Sequence, residues 1–124
     1  MNISYKKTKI VWKGYENILI SLIEKNRLKK ICDIGGGANP ILDIAYVTKN
    51  KLSYSILDIS EDELEKAPSG YNKIVEDICS PTLEIEEEYD FIFSKMLAEH
   101  IKDAPQFHKN IHQMLCDGGI AVHL

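Results

Sequence analysis

The sequence predicts an α/β fold, a parallel sheet with helices on both faces. Three observations carry this. Short runs of β-branched and aromatic residues alternate with segments whose apolar residues recur every three or four positions, and strands separated by helices pair in parallel. The first run, Ile31-Cys32-Asp33-Ile34, opens directly into Gly35-Gly36-Gly37-Ala38-Asn39-Pro40. A strand, a glycine turn and a helix N-terminus together present backbone N–H groups to a polar ligand. Two later strands each close on an acid, Asp58 and Asp77.

Whole-chain properties bound the function. At 124 residues the chain is one domain at most, and its 44% hydrophobic and 27% charged fractions suit a globular protein with a real core. The net charge of −4 argues against a nucleic-acid surface, which needs clustered Lys and Arg to displace counterions. Lys6-Lys7 and Lys29-Lys30 are basic, but acids surround them. Cys32, Cys79 and Cys116 are odd in number and widely spaced, against a disulfide framework or a cysteine zinc site. No apolar run is long enough to span a membrane and no signal-peptide pattern is present, so the cytoplasm is the default expectation.

Taken in order, residues 1–10 read as a loose polar arm. A leading helix over 11–27 follows, with Val11, Tyr15, Ile18, Leu19, Leu22 and Ile23 on its apolar face. Trp12 and Tyr15 at its start read as core packing. The first strand covers Lys30 to Ile34, with Cys32 acting as a small apolar residue. Asn39 can cap the next helix and Pro40 suits its first position, which predicts a helix from Pro40 to about Lys49. The second strand is Leu52 to Leu57, ending at Asp58. Ser60 and Glu63 form a capping box for a short helix that Pro68 and Gly70 stop. The third strand spans Lys73 to Glu76. Glu84 to Glu88 reads as a solvated acidic loop. Tyr89 to Ser94 is the fourth strand, rich in strong strand formers, and Lys95 to Ile101 is a helical turn. Pro105 starts a further helix with Phe107, Ile111, Met114 and Leu115 inward, and Gly118 is its expected left-handed cap. Ile120 to Leu124 begins the fifth strand.

Two ligand classes use a glycine turn of this kind. The dinucleotide fingerprint G-x-G-x-x-G needs its third glycine where this chain has Pro40, and Asp33 would repel a pyrophosphate. A nicotinamide-dependent oxidoreductase is therefore disfavoured. Asp33 suits a cationic ligand instead. The segment Asp33-Ile34-Gly35-Gly36-Gly37-Ala38-Asn39 resembles motif I of the Rossmann-like, class I S-adenosylmethionine-dependent methyltransferases, acid-x-Gly-x-Gly-x-Gly, with Asn39 in place of the last glycine. Asn tolerates the left-handed conformation. The resemblance extends from Ile31 to Leu124. It implies strand order 3-2-1-4-5 and binding of S-adenosylmethionine, with S-adenosylhomocysteine as product.

The resemblance also implies roles for particular residues. Asp33, Gly35, Gly36 and Gly37 would form the cofactor turn. Asp58, 21 residues after Gly37, would accept both ribose hydroxyls, with Ile59 beside it. Asp77 would accept from the adenine amine while Ile78 packs on the ring. Ser94 and Met96 would complete the cofactor site. The plain alternative for Asp58 and Asp77 is a turn at a strand end. Glu99-His100 matches a pair that the family often carries after its fourth strand. His100 is the candidate catalytic base, with a near-neutral unperturbed pKa. The weightier alternative is that it packs and hydrogen-bonds the loop. His108 and His112 have metal-ligand spacing, but without a third ligand they read as a solvent-facing pair, and no metal is expected.

The implied reaction is methyl transfer to an acceptor, in all expectation a small molecule. The rival reading is a binding module. The family's full domain has seven strands, and this sequence ends in the fifth, so it reads as a truncated domain that can bind cofactor without turnover. A bare fifth strand, with Ile120, Val122 and Leu124 on one face, is also expected to pair with a second copy.

Overall fold

In the computed structural model of the chain, residues 6–86 and 88–124 are described. The element order is α1 (Lys6–Asn26), β1 (Lys30–Ile34), α2 (Ile44–Lys49), β2 (Ser53–Asp58), α3 (Glu61–Lys66), β3 (Asn72–Val75), β4 (Tyr89–Ser94), a 3₁₀ turn (Ala98–His100), α4 (Ala104–Met114) and β5 (Leu115–His123). The sheet is wholly parallel, in the order β3-β2-β1-β4-β5 that the resemblance implied.

Alternation along the strands divides the core in two. Ile31, Tyr54, Ile56, Phe91 and Phe93 face one layer, where Tyr15, Leu19 and Ile23 of α1, Val47 of α2 and Leu64 of α3 pack on them. Cys32, Ile34, Leu57, Tyr89 and Ile92 face the other, under Phe107, Ile111 and Met114 of α4. The central strands are buried on both sides, as expected for parallel strands between helices.

Several boundaries differ from the sequence expectation. Residues 6–10, expected in a loose arm, belong to α1; Met1 to Tyr5 lie outside the described residues. Val11 and Ile18 were expected inward, yet they are 54% and 55% exposed. The buried seam is Tyr15, Leu19 and Ile23, at strict four-residue steps. The helix expected from Pro40 begins only at Ile44. Asn39 donates its N–H to the Gly36 carbonyl (3.0 Å) and makes a turn, while Asp43 caps α2 by accepting from the Tyr46 N–H (2.8 Å). Gly118 does not cap α4. The helix ends at Met114, and Gly118, with φ of 76°, lies in β5 where the register against β4 is irregular between Tyr89 and Phe91. Ile120 and Val122 pack on the α1 layer as expected, whereas Leu124, expected on the same face, lies past the end of β5 and is 44% exposed. In the acidic loop, Glu84, Glu86 and Glu88 are exposed, and Glu87 lies outside the described residues.

Candidate functional site

The carboxyl ends of β1, β2, β3 and β4 surround two adjoining cavities. The larger, about 680 Å³, is walled by Gly35, Asp58, Ile59, Asp77, Ile78, Met96 and His100, with Glu76, Cys79, Lys95, Leu97, Lys102 and Asp103 among the others. The smaller, about 340 Å³, lies on the glycine turn between Asp33, Asp58, Glu63 and Lys95. A surface dent of about 310 Å³ between the acidic loop and α4 shares none of these residues.

The three glycines answer first to the chain's own packing. A Cβ on Gly36 would lie 2.8 Å from the Asp33 Cγ and 2.9 Å from the Ile56 Cγ2, closer than real side chains come. Gly37, with φ of 49°, lies where a Cβ would meet the Asp58 Oδ2 at 3.1 Å. Gly35, with φ of 73°, turns the chain as its N–H donates to the Leu57 carbonyl at 2.7 Å. Gly36 and Gly37 need glycine because the turn folds back on two acids, and Gly35 because of its positive φ beside Leu97.

Asp33 is buried, and its carboxylate looks inward. Its Oδ2 accepts from the Tyr54 hydroxyl (2.7 Å) and the Ile41 N–H (3.0 Å), while Oδ1 has no hydrogen-bond partner. Burial raises its pKa to about 6, against the lowering effect of the Ile41 and Tyr54 hydrogen bonds and of Lys95. Its own burial, and then the Asp33 charge, hold Tyr54 in the protonated state. Asp33 thus fixes the shape of the turn from below, with its Oδ1 left unpartnered.

Asp58 and Asp77 share one local device. The Asp58 Oδ1 accepts from the Ser60 N–H (2.9 Å), and the Asp77 Oδ1 accepts from the Cys79 N–H (2.8 Å). Each is the side-chain-to-backbone turn expected of Asp at a strand end, and it aims the carboxylate while leaving the second oxygen for a ligand. At the capping box, the Ser60 Oγ accepts from the Glu63 N–H (3.2 Å), but the reciprocal donor, the Ser60 N–H, is taken by Asp58. Ile78 is buried with its side chain in the α4 layer, and its carbonyl accepts from the Asn110 side chain at 2.7 Å. Ile59 is 70% exposed at the cavity mouth.

Ser94 is placed differently from the sequence reading. Its hydroxyl is fully buried, lies 2.7 Å from the His123 Nδ1 and does not line either cavity. Its carbonyl accepts from the Tyr15 hydroxyl at 2.5 Å, so Ser94 joins α1, β4 and β5. Burial, then the nearby His108, lowers the His123 pKa and keeps that ring neutral. Met96 adopts φ of 56°, which swings its side chain to the larger cavity, and its N–H donates to the Leu124 carbonyl. His100 is not packed into the loop. Its ring is 75% exposed on the cavity wall, with Nε2 3.4 Å from the Glu99 Oε1. His108 and His112 are exposed, and among the described residues no cluster of His, Cys, Asp or Glu could hold a metal.

Lys95 was missed by the sequence reading. Ile34 pairs with Ser94 in the sheet, so Lys95 leaves β4 beside Gly35. It lines both cavities, and its Nζ sits 4.6 Å from the centre of the Trp12 ring. The usable signal was its place one residue after a strand adjacent to the glycine turn.

A model of the methyltransferase-domain family matches residues 13–124. No curated protein matches significantly. Among solved structures, an S-adenosylmethionine-dependent methyltransferase from Clostridium acetobutylicum is 19% identical with a TM-score of 0.72, over 96% of this chain and 53% of that one. One from Mesorhizobium loti is 24% identical with a TM-score of 0.63, over 77% of this chain and 45% of the other. An amino pentose methyltransferase from Micromonospora echinaspora, solved with S-adenosylmethionine bound, is 13% identical with a TM-score of 0.72, over 99% of this chain and 56% of its own. These likenesses establish the fold. The chain spans about half the length of the solved structures that it matches.

Proposed function

The chain belongs to the methyltransferase-domain family, and from that membership we propose that it binds S-adenosylmethionine across the two cavities and serves methyl transfer to a small-molecule acceptor. The observation that carries this reading is the meeting of Gly35, Asp58 and Asp77 on one cavity at the carboxyl ends of three neighbouring strands. The walls suit a cationic ligand: Asp33, Asp58, Glu63, Glu76, Asp77 and Asp103 outnumber Lys95 and Lys102. In this reading the free oxygen of Asp58 takes the ribose hydroxyls, the free oxygen of Asp77 takes the adenine amine, and Ile78 and Met96 supply apolar surface. The bound cofactor supplies an electrophilic methyl group on a sulfonium. The protein supplies position and exclusion of water. His100, exposed on the cavity wall, is within the site as a base for an acceptor proton.

Titration calorimetry with S-adenosylhomocysteine tests the reading. Wild-type protein binds, and Asp58→Ala weakens binding by about 1 to 3 kcal/mol, the scale for hydrogen bonds to a charged group. Equal affinity in the two proteins removes Asp58 from the site. His100→Ala lowers turnover and leaves cofactor affinity alone if the ring acts as a base; wild-type turnover in that variant eliminates the role.

β5 is a sheet edge, and its free backbone groups support pairing with a second copy. Among the described residues, no helix is long and apolar enough to cross a membrane.

A further inference from the structure

We propose that Lys95 reads the carboxylate of the ligand's amino-acid end, and that Trp12 holds the Lys95 ammonium in place before the ligand arrives. The proposal rests on the cofactor reading above. That ligand carries a single anionic group, its carboxylate, and the charged groups on the cavity walls are mostly acids, with Asp33, Asp58, Glu63, Glu76, Asp77 and Asp103 against Lys95 and Lys102. A carboxylate entering such walls is repelled unless a cation meets it.

Lys102 lines only the larger cavity, next to Asp103, whereas Lys95 lines both and alone among the described cations reaches the glycine turn. Its position is fixed by the sheet. Ser94 pairs with Ile34, so the residue after each, Lys95 and Gly35, leave neighbouring strands side by side. The next residue, Met96, turns back with positive φ and is tied to the Leu124 carbonyl at 2.7 Å, which limits where the Lys95 backbone can go. On the other side α1 presents Trp12, with the Lys95 Nζ 4.6 Å from its ring centre. α1 is itself anchored to β4 by the bond from the Tyr15 hydroxyl to the Ser94 carbonyl.

The chemistry of that contact matters. A ring face attracts an ammonium without consuming it, because the N–H donors directed away from the ring stay available. Among the described residues no carboxylate pairs with Lys95. An ammonium held this way has lost part of its rotamer freedom in advance, so less ordering cost falls on binding. The sequence puts Trp12 and Lys95 far apart, and only the packing of α1 against the end of β4 joins them.

The test compares S-adenosylhomocysteine with its decarboxylated analogue on wild-type protein and on Lys95→Met, by calorimetry. Lys95 is half-buried at a cavity wall, so the variant keeps the fold, and Met preserves the length of the stem. Wild-type protein prefers the carboxylate-bearing ligand by roughly tenfold, and Lys95→Met loses that preference while keeping its affinity for the decarboxylated analogue. A purely structural role for Lys95 would weaken both ligands alike and overturn the proposal. So would a preference that survives in the variant. Trp12 is the single tryptophan, so its emission gives an independent readout. S-adenosylhomocysteine changes that emission in wild-type protein as its carboxylate meets the ammonium beside the ring, and changes it less in Lys95→Met; equal changes count against the proposal. Failure of wild-type protein to bind S-adenosylhomocysteine at all would overturn the cofactor reading and this proposal together, and it is seen without any variant.

Discussion

Asp33 shows how one buried side chain can hold a turn at a cost in stability. Its carboxylate titrates near 3.8 in an unfolded chain and about 6 in the folded one, chiefly through burial. Between those values the folded state holds the extra proton, so stability falls as pH rises from about 4 to 6, and the loss persists at neutrality. Two pKa units correspond to on the order of 3 kcal/mol. Asp33→Asn keeps an acceptor for Tyr54 and Ile41 and removes the charge. We expect urea midpoints of wild type to fall relative to the variant between pH 4 and 7; parallel pH profiles would refute this. The places of Asp58 and Asp77 on the larger cavity were legible, because each closes a strand in a sheet whose order puts those ends beside the glycine turn. The inward aim of Asp33 was not, since it depends on the Tyr54 hydroxyl, 21 residues away on the neighbouring strand. Nor was the burial of Ser94, which depends on His123 of β5.

At the scale of the element, local signals competed and tertiary contacts chose between them. Asn39 and Asp43 are both good caps by residue type. The Asp33 carboxylate draws the Ile41 N–H toward β1 (3.0 Å), which holds 39–42 out of the helix and leaves Asp43 to start it. Strand existence was readable from β-branched and aromatic runs, while the irregular entry of β5 was not, because a Gly-Gly pair after a helix equally suits a cap. The entry of β1 has its own clamp. Asp90 on β4 accepts from the backbone N–H groups of Lys29 (2.9 Å) and Lys30 (3.0 Å), fixing where β1 begins to run beside β4. Asp90→Ala removes both acceptors, and we expect a loss of about 1 to 2 kcal/mol in urea unfolding, with the two cavities unchanged. An unchanged midpoint would show that water replaces the clamp.

At the scale of the molecule, the alternation of strands and helices made the sheet and its order predictable, and the order places the site. β1 lies at the centre, so its glycine turn is flanked by the ends of β2 and β4, and the acids of β2 and β3 fall on one side of it. The order also leaves β3 and β5 as edges. β3 is short and polar, with Asn72 and Lys73, a composition that discourages pairing. β5 has nine residues and Lys or Pro nowhere along it. We expect a polypeptide of these 124 residues to self-associate through β5. A monomer by sedimentation velocity, with amides of Ile120 to Val122 slow to exchange, would contradict this.

The Tyr15 hydroxyl reaches carbonyls of both Ser94 (2.5 Å) and Val122 (3.3 Å), across 79 and 107 residues of chain. During synthesis α1 therefore leaves the ribosome long before either partner exists. Its apolar seam of Tyr15, Leu19 and Ile23 must wait, uncovered by the finished sheet, until β4 and then β5 emerge. α1 is made before every strand of this sheet yet is among the last of these elements to be locked, and the wall that carries Trp12 is completed only when the fifth strand has joined the sheet.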